Sequence, residues 1–289
     1  MKIKRTAGDH AFEIVNIFLL VIICISTLYP FLYLISMSFR SAQSSFLNVS
    51  LIPDHPTLEN YASILTADYI LQSFLVTVLK TVVGTVLSLV AMVCTAYPLS
   101  KKYFPNRTLY TGLIVFTMFF SGGLIPTYLL IRSLHLYNTL WALILPGLIS
   151  TYSMLIIRNF FMSIPEEIDE SAKIDGANDI IILFKLILPL SKPILATVVL
   201  WQAVGHWNAW FDCLIYITDS GKQVLQVILQ RIVNGGTQDL VQQTGVDMAG
   251  NPEPIKAAAT MVISLPIIAF YPFLQKYFVK GIMVGSLKG

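Results

Sequence analysis

Apolar residues along this chain fall into six continuous runs: about Ile14 to Phe39, Leu71 to Tyr97, Leu109 to Ile131, Leu140 to Met162, Ile194 to Ile217 and Ala257 to Pro272. Most exceed the roughly 20 residues that cross ~30 Å of hydrocarbon, and the last is shorter and interrupted by Pro266. Strands of a membrane barrel would alternate apolar and polar positions, so unbroken runs predict helices. The expected fold is all-α: a polytopic membrane protein with six transmembrane helices, in which residues 14–289 form one membrane domain after a short segment 1–13.

Composition agrees with the pattern. With 55% hydrophobic and 12% charged residues, the 289-residue chain has too little polar surface to dress a soluble domain. Lys2, Lys4 and Arg5 precede the first run, as in a secretory signal, but that run of about 26 residues far exceeds the ~7 to 15 of a signal core. An uncleaved first span is expected. Of the 19 Lys and Arg residues, thirteen fall on the N-terminal side of the membrane when the runs are threaded in turn, five on the other (Arg40, Arg132, Lys222, Arg231, Lys256), and Lys80 within the second run. The positive-inside bias therefore predicts both termini in the cytoplasm. Net charge of +3 follows from that topology and implies no nucleic-acid partner. Cys24, Cys94 and Cys213 lack pairing or metal spacing, as do His10, His55, His135 and His206, and no Ser-His-Asp or paired-carboxylate arrangement points to an enzyme.

Two connections are long, Ser163 to Pro193 on the expected cytoplasmic side and Thr218 to Lys256 outside. In the first, Ser163 and Glu166 have capping-box spacing and Pro165 suits a first turn, so a helix is expected to start there. Ile164, Ile168 and Ala172 share one face, Glu166, Glu170 and Lys173 the opposite one, and Asp169 to Lys173 is an i,i+4 pair. Gly176 supplies a left-handed residue for a reversal, and Asn178 or Asp179 can cap a second helix. That helix, with the apolar body IIILFKLIL, must pack on the bundle before Pro189 and Pro193. The connection carries six acids against three bases, a poor match to an anionic leaflet, which favours a protein partner over membrane lipid as the surface it docks on.

The run ESAKIDGA, Glu170 to Ala177, followed by Phe184 and Leu186-x-Leu188-Pro189, resembles the cytoplasmic EAA loop of permease subunits in binding-protein-dependent ABC importers. Ser171 replaces the first alanine of that pattern and Leu186 its isoleucine. The wider chain from about Phe12, including FFSGGLIPTYLLI, NTLWALILPG and YPFLQKYFVKGIMVGSLKG, resembles the carbohydrate-type permeases for oligosaccharides and polysaccharide fragments.

The resemblance implies a type I importer permease that binds no cofactor itself: ATP and Mg belong to a dimer of ATP-binding subunits. Consistent with this, no G-x-x-x-x-G-K-[ST] run occurs. It further implies a second permease subunit forming a heterodimer, an extracytoplasmic solute-binding protein, and a sugar substrate. The residues it assigns to the ATPase contact are Glu170, Ser171, Ala172, Asp175, Gly176, Ala177 and Pro189, with Glu170 accepting bonds, Gly176 setting the turn, and Ala172 and Ala177 allowing close approach. Other solutes, or a secondary transporter or channel, are the alternatives.

The substrate path is expected along the fifth run. On a helix, Trp201, Gly205, Asn208 and Asp212 form a stripe with Gln202 and His206 beside it, about 160° wide in all. Trp207 and Trp210 would offer aromatic faces to a sugar. Such polar residues also serve simply as bonds between helices. Gly122 and Gly123 in the third run suggest a kink or gate. Lys80 is expected to snorkel toward a headgroup, or else to pair with Asp212. Outside, Gln223 to Val233 reads as a short amphipathic helix in a loop assigned to the solute-binding protein or the sister permease.

Overall fold

The computed structural model describes residues 7–43, 50–53, 55–235 and 251–286, nearly all of them helical. No strand occurs among them, only an isolated bridge between Arg40 and Pro56. Among the described residues, two helices are by length and composition able to cross a bilayer unbroken, α1 (Ala7–Ser38) and α3 (Asp68–Ser100). Two further spans are bent pairs: α4 (Arg107–Phe119) meets α5 (Leu124–Ser133) at 111°, and Asp179–Leu190 meets α10 (Lys192–Asn208) at 83°.

Several of the expected spans are therefore not simple rods. The fourth run is a 3-10 turn, Leu140–Leu143, then an irregular stretch through Pro146 and Gly147, then α6 (Thr151–Ser163). The fifth ends at Asn208 and resumes as α11 (Phe211–Tyr216). In the sixth the error is opposite: α13 (Glu253–Ser286) runs straight through Pro266 and Pro272. Proline removes one N–H and already holds a helical φ, so a helix supported along its length tolerates it. The expected amphipathic helix is α12 (Leu225–Asn234), and residues 236–250 of the same loop lie outside the described residues.

The chain divides into two compact units, Met1–Ala67 with Leu229–Ser264, and Asp68–Ile228 with Leu265–Gly289. In the first, α1 shows apolar side chains all round its axis, as a helix bathed in hydrocarbon can. Its end is tied to α2 (Glu59–Leu65), where Asn60 Nδ2 donates to the carbonyls of Ser38 at 3.0 Å and Arg40 at 2.8 Å.

In the second unit α3 is the centre, packed against α6 and α10. Its two faces explain why. Ser73, Thr77, Lys80, Gly84 and Ser88 recur every three or four residues and are buried, whereas Leu71, Leu75, Leu79, Val82, Val86 and Val90 are exposed. Within hydrocarbon, leucine gains nothing by leaving the lipid, so small and polar residues mark the helix contact and large apolar ones the lipid side. Nearer its C-terminus the contact turns apolar: Met92, Val93, Ala96, Tyr97 and Leu99 pack with Met154, Ile157 and Phe161 of α6 and Val198 of α10.

Candidate functional site

The connection after α6 folds as a hairpin. α7 (Glu166–Ile174) has an acidic first turn, Glu166, Glu167 and Asp169, and Lys173 in its last, each charge favourable to the helix dipole. The expected capping box is absent: Ser163 is still helical in α6 and donates its hydroxyl to the Phe160 carbonyl at 2.7 Å, and Pro165 takes the N-cap place. A hydroxyl inside a helix end finds its own carbonyl sooner than a distant N–H.

α7 stops as its sequence predicts. Gly176 has φ +82°, the Gly176 N–H donates to the Lys173 carbonyl at 3.0 Å, and the Ala177 N–H to the Ala172 carbonyl at 2.9 Å. This is the Schellman pair of bonds, which needs a left-handed residue at that position. Asn178 Oδ1 then accepts the Ile181 N–H at 2.9 Å and caps α8 (Asp179–Ile182). The helix widens into a π turn at Leu183–Ile187 before α9 (Leu188–Leu190). Pro189 has no N–H and its ring crowds the carbonyl four residues back, which the wider turn relieves. Ile182, Leu183 and Ile187 are buried against α3 and α6.

The hairpin has two sides. Ala172 and Ala177 are half-buried against the bundle's apolar cluster, so their small size permits close approach of hairpin to bundle. Glu170, Ser171, Asp175 and Gly176 are exposed, and so is Pro189. Ile174 is exposed as well, to 86%, with Ile180 at 68% and Phe184 at 63%. Ile174 was not singled out in the sequence, where its place off the stripe of Ile168 and Ala172 was the available signal; Ile180 and Phe184, in the body expected to pack on the bundle, face outward instead.

A set of charged bonds joins the inner side of α7 to the turn after α3. Lys101 is paired with Asp169, their side chains only 10% and 14% exposed, and Lys101 also lies over the Tyr97 ring at 4.7 Å. Lys102 meets Glu166 at 2.9 Å, more openly. Tyr103 donates its hydroxyl to Asp179 Oδ1 at 2.8 Å, and Lys173 Nζ sits 4.1 Å above the Tyr103 ring and 3.5 Å from Asp179. The expected Asp169 to Lys173 pair is thus exchanged for two longer-range ones, because Asp169 points inward and Lys173 does not. Partial burial and the Asp179 carboxylate push the Tyr103 phenol above its ordinary pKa. A polar cavity of about 270 Å³ lies between the turn and α7, lined by Lys101, Arg107, Asp169 and Glu170 among others.

Of the residues expected along the substrate path, the stripe of Trp201, Gly205, Asn208 and Asp212 is exposed throughout, while its neighbours differ. His206 and Trp207 are buried: the His206 ring lies 3.5 Å from Ser88 Oγ and against Gly84, and Trp207 meets Phe74 edge-on at 6.1 Å. Gln202 reaches Ser153 of α6 at 3.4 Å. These three hold helices together. Asn208, whose Oδ1 accepts from Gln226 at 3.4 Å, and Asp212 are exposed, with Trp210 half-buried between them, but the turn at Ala209 rotates Asp212 out of register with α10. Lys80 neither snorkels nor pairs with Asp212: it is buried and donates to the Ala209 carbonyl at 3.0 Å, a group left without an intrahelical partner by the break. Gly122 and Gly123 occupy the 111° bend between α4 and α5, where Gly123 takes φ +85° and ψ 174°, a conformation open to glycine alone. No cluster of His, Cys, Asp and Glu able to hold a metal occurs among the described residues.

Residues 60–284 match the family described as binding-protein-dependent transport system inner membrane component. The chain belongs to this family. The permease is 43% identical to the protein LplC of Bacillus subtilis (strain 168), over 99% of its own length and 97% of that protein. It is 42% identical to the polygalacturonan/rhamnogalacturonan transport system permease protein YtcP of the same strain, over 90% of its length and 92% of that one. Its fold is similar, at TM-score 0.85 and 32% identity, to a chain of a bacterial ABC transporter involved in the import of the acidic polysaccharide alginate, covering 96% of the permease and all of that chain. It is accordingly an inner-membrane transport component built of helices.

Proposed function

We propose that this permease is the transmembrane subunit of an ATP-driven importer that translocates an oligosaccharide or polysaccharide fragment handed over by a solute-binding protein. The carrying observation is the hairpin: a glycine-terminated, acidic helix whose inner side is bonded to the bundle and whose outer side presents Glu170, Ser171, Ile174 and Asp175. A free-standing protein would have no reason to expose Ile174 beside an acidic face. A docking subunit would supply an apolar pocket and basic groups.

ATP and Mg are bound by that docking subunit, present as a dimer, and a sister permease completes the membrane pore as a heterodimer. Both termini are cytoplasmic, which sets the hairpin beneath the membrane and the 218–256 connection outside, facing the binding protein. The sugar class follows from the company of relatives, since YtcP and the alginate transporter both carry polysaccharide in their descriptions. Asn208, Trp210 and Asp212 are the candidates to meet sugar hydroxyls, a reading supported by their lying at a break in a membrane helix with Asn208 and Asp212 exposed.

The test is purification of the permease with its partners, followed by uptake of a labelled pectic or alginate oligosaccharide. Recovery of an ATP-binding subunit and nucleotide-dependent uptake supports the reading. Flux driven by an ion gradient without nucleotide overturns it.

A further inference from the structure

α3 is fastened at two places far apart along its length. At its C-terminal end Lys101 is held by Asp169 of α7 in the most enclosed ion pair of the hairpin, and Arg158 of α6 donates to the Leu99 carbonyl at 2.8 Å. Toward its other end Lys80 holds the Ala209 carbonyl at the break between α10 and α11, and Thr77 Oγ1 accepts the Leu225 N–H at 2.8 Å. From Lys80 to its end at Ser100, one residue before Lys101, α3 is continuous, with Pro98 in its last turn, about 30 Å at 1.5 Å per residue. The two membrane helices joined to the hairpin by the chain are shorter: α10 meets it through an 83° bend, and α6 has 13 residues after an irregular stretch.

We infer that Lys101 and Asp169 form the mechanical link by which α7 drives α3, so that movement at the hairpin arrives at the Ala209 break through α3 and not through the hairpin's own chain. A force carried along the chain from α8 would pass a π turn, a proline and a sharp bend, each of which can yield. A force carried across the Lys101–Asp169 pair enters a continuous helix whose one proline, Pro98, lies in its last turn, where Arg158 of α6 holds the Leu99 carbonyl. Three neighbours keep the pair from rotating: Lys102 with Glu166, Tyr103 with Asp179, and the Tyr97 ring beneath the lysine. Asp169 Oδ2 bears the bond while Oδ1 is buried without a partner, so the carboxylate has one anchor and loses its only compensation if Lys101 goes. Lys101 and Asp169 are positioning residues: they touch neither substrate nor nucleotide.

This inference rests on α7 being the ATPase contact, and the experiment separates the two. In membranes containing the complete transporter, uptake and ATP hydrolysis are measured together for Lys101→Glu, for Lys101→Glu with Asp169→Lys, and for Gly176→Arg. The link predicts that Lys101→Glu lowers sugar imported per ATP hydrolysed by about tenfold, a usual size for coupling between sites, and that the exchanged pair regains most of it. Normal import by Lys101→Glu, or no recovery by the exchanged pair at equal abundance, overturns the link. Normal import by Gly176→Arg would instead overturn the docking reading of α7. If the charge variants do not accumulate, Lys101→Cys with Asp169→Cys decides. With both cysteines reduced the ion pair is absent and uptake per ATP should be low. A disulfide, verified by loss of free thiol, re-ties α7 to the end of α3 and should raise it, whereas uptake that is normal when reduced, or equally low once the disulfide has formed, overturns the inference.

Discussion

The Nζ of Lys80 lies 3.0 Å from the carbonyl oxygen of Ala209, a buried lysine closing the open end of a membrane helix. The bond gives a partner to a carbonyl at the C-terminal end of α10. Lys80→Met keeps the side chain's length and removes the donor. It should lower stability by about 1–3 kcal/mol, the cost of an unsatisfied buried polar group, read as a fall in the melting temperature of the detergent-solubilised transporter. An unchanged melting temperature would show the carbonyl to be otherwise bonded.

Gly84 and His206 set how closely α3 and α10 approach. A Cβ at Gly84 would fall 2.7 Å from His206 Cε1 and 2.8 Å from Nε2, so the ring or the helix must move. Gly84→Ala should destabilise by about 1–3 kcal/mol through overpacking. Adding His206→Ala opens the space, and the double variant should be more stable than Gly84→Ala alone. If the two costs simply add, the ring is not what limits the approach.

Gly123 separates steric from conformational cost. Nothing lies within 4 Å of its would-be Cβ, yet its φ of +85° excludes an L side chain. Gly123→Ala should therefore cost about 1–3 kcal/mol from backbone strain alone. Thermal unfolding reads the loss, and Gly112→Ala, at a helical glycine with equally open surroundings, should show none of it.

The hairpin's caps predict local effects. Asn178→Ala removes the acceptor of the Ile181 N–H and should weaken the start of α8 by about 1 kcal/mol. Amide exchange should quicken at Ile181 and its neighbours while α3 is unaffected. Uniform quickening would mean that the cap holds more than its own helix.

Tyr103 gives the hairpin an alkaline limit. Because its phenol is raised in the folded protein, its contribution is complete below the unfolded value near 10 and disappears as pH climbs through the higher folded value. Hairpin protection should hold to about pH 9 and decline above 10, with Tyr103→Phe, which has no proton to lose, lacking that decline. A decline of equal size in Tyr103→Phe would trace it to another group.

The helical membrane fold was legible because hydrocarbon imposes one demand on every residue of a span, and six apolar runs answer it. The hairpin was legible for a different reason: Gly176, Asn178 and Pro189 each act within four residues of themselves, and local chemistry is written locally. What could not be read was any outcome decided between distant segments. Asp169 exchanged Lys173 for Lys101, Lys80 found Ala209 in place of a headgroup, and the fifth run breaks at Ala209, where no proline or glycine announces it. The buried stripe from Ser73 to Ser88 was open to the same periodicity reading, had small residues been counted with polar ones.

That unannounced break sets α10 apart from α4. The bend at Gly122 and Gly123 is written into residues that disfavour a helix, whereas Asn208, Ala209 and Trp210 would all accept one. At the break Lys80 holds the Ala209 carbonyl and Gln226 bonds the Asn208 side chain. Were α3 to slide and withdraw its lysine, the segment from Lys192 to Tyr216 could wind into a single rod, which makes it a catch that opens without any covalent or prolyl constraint to undo.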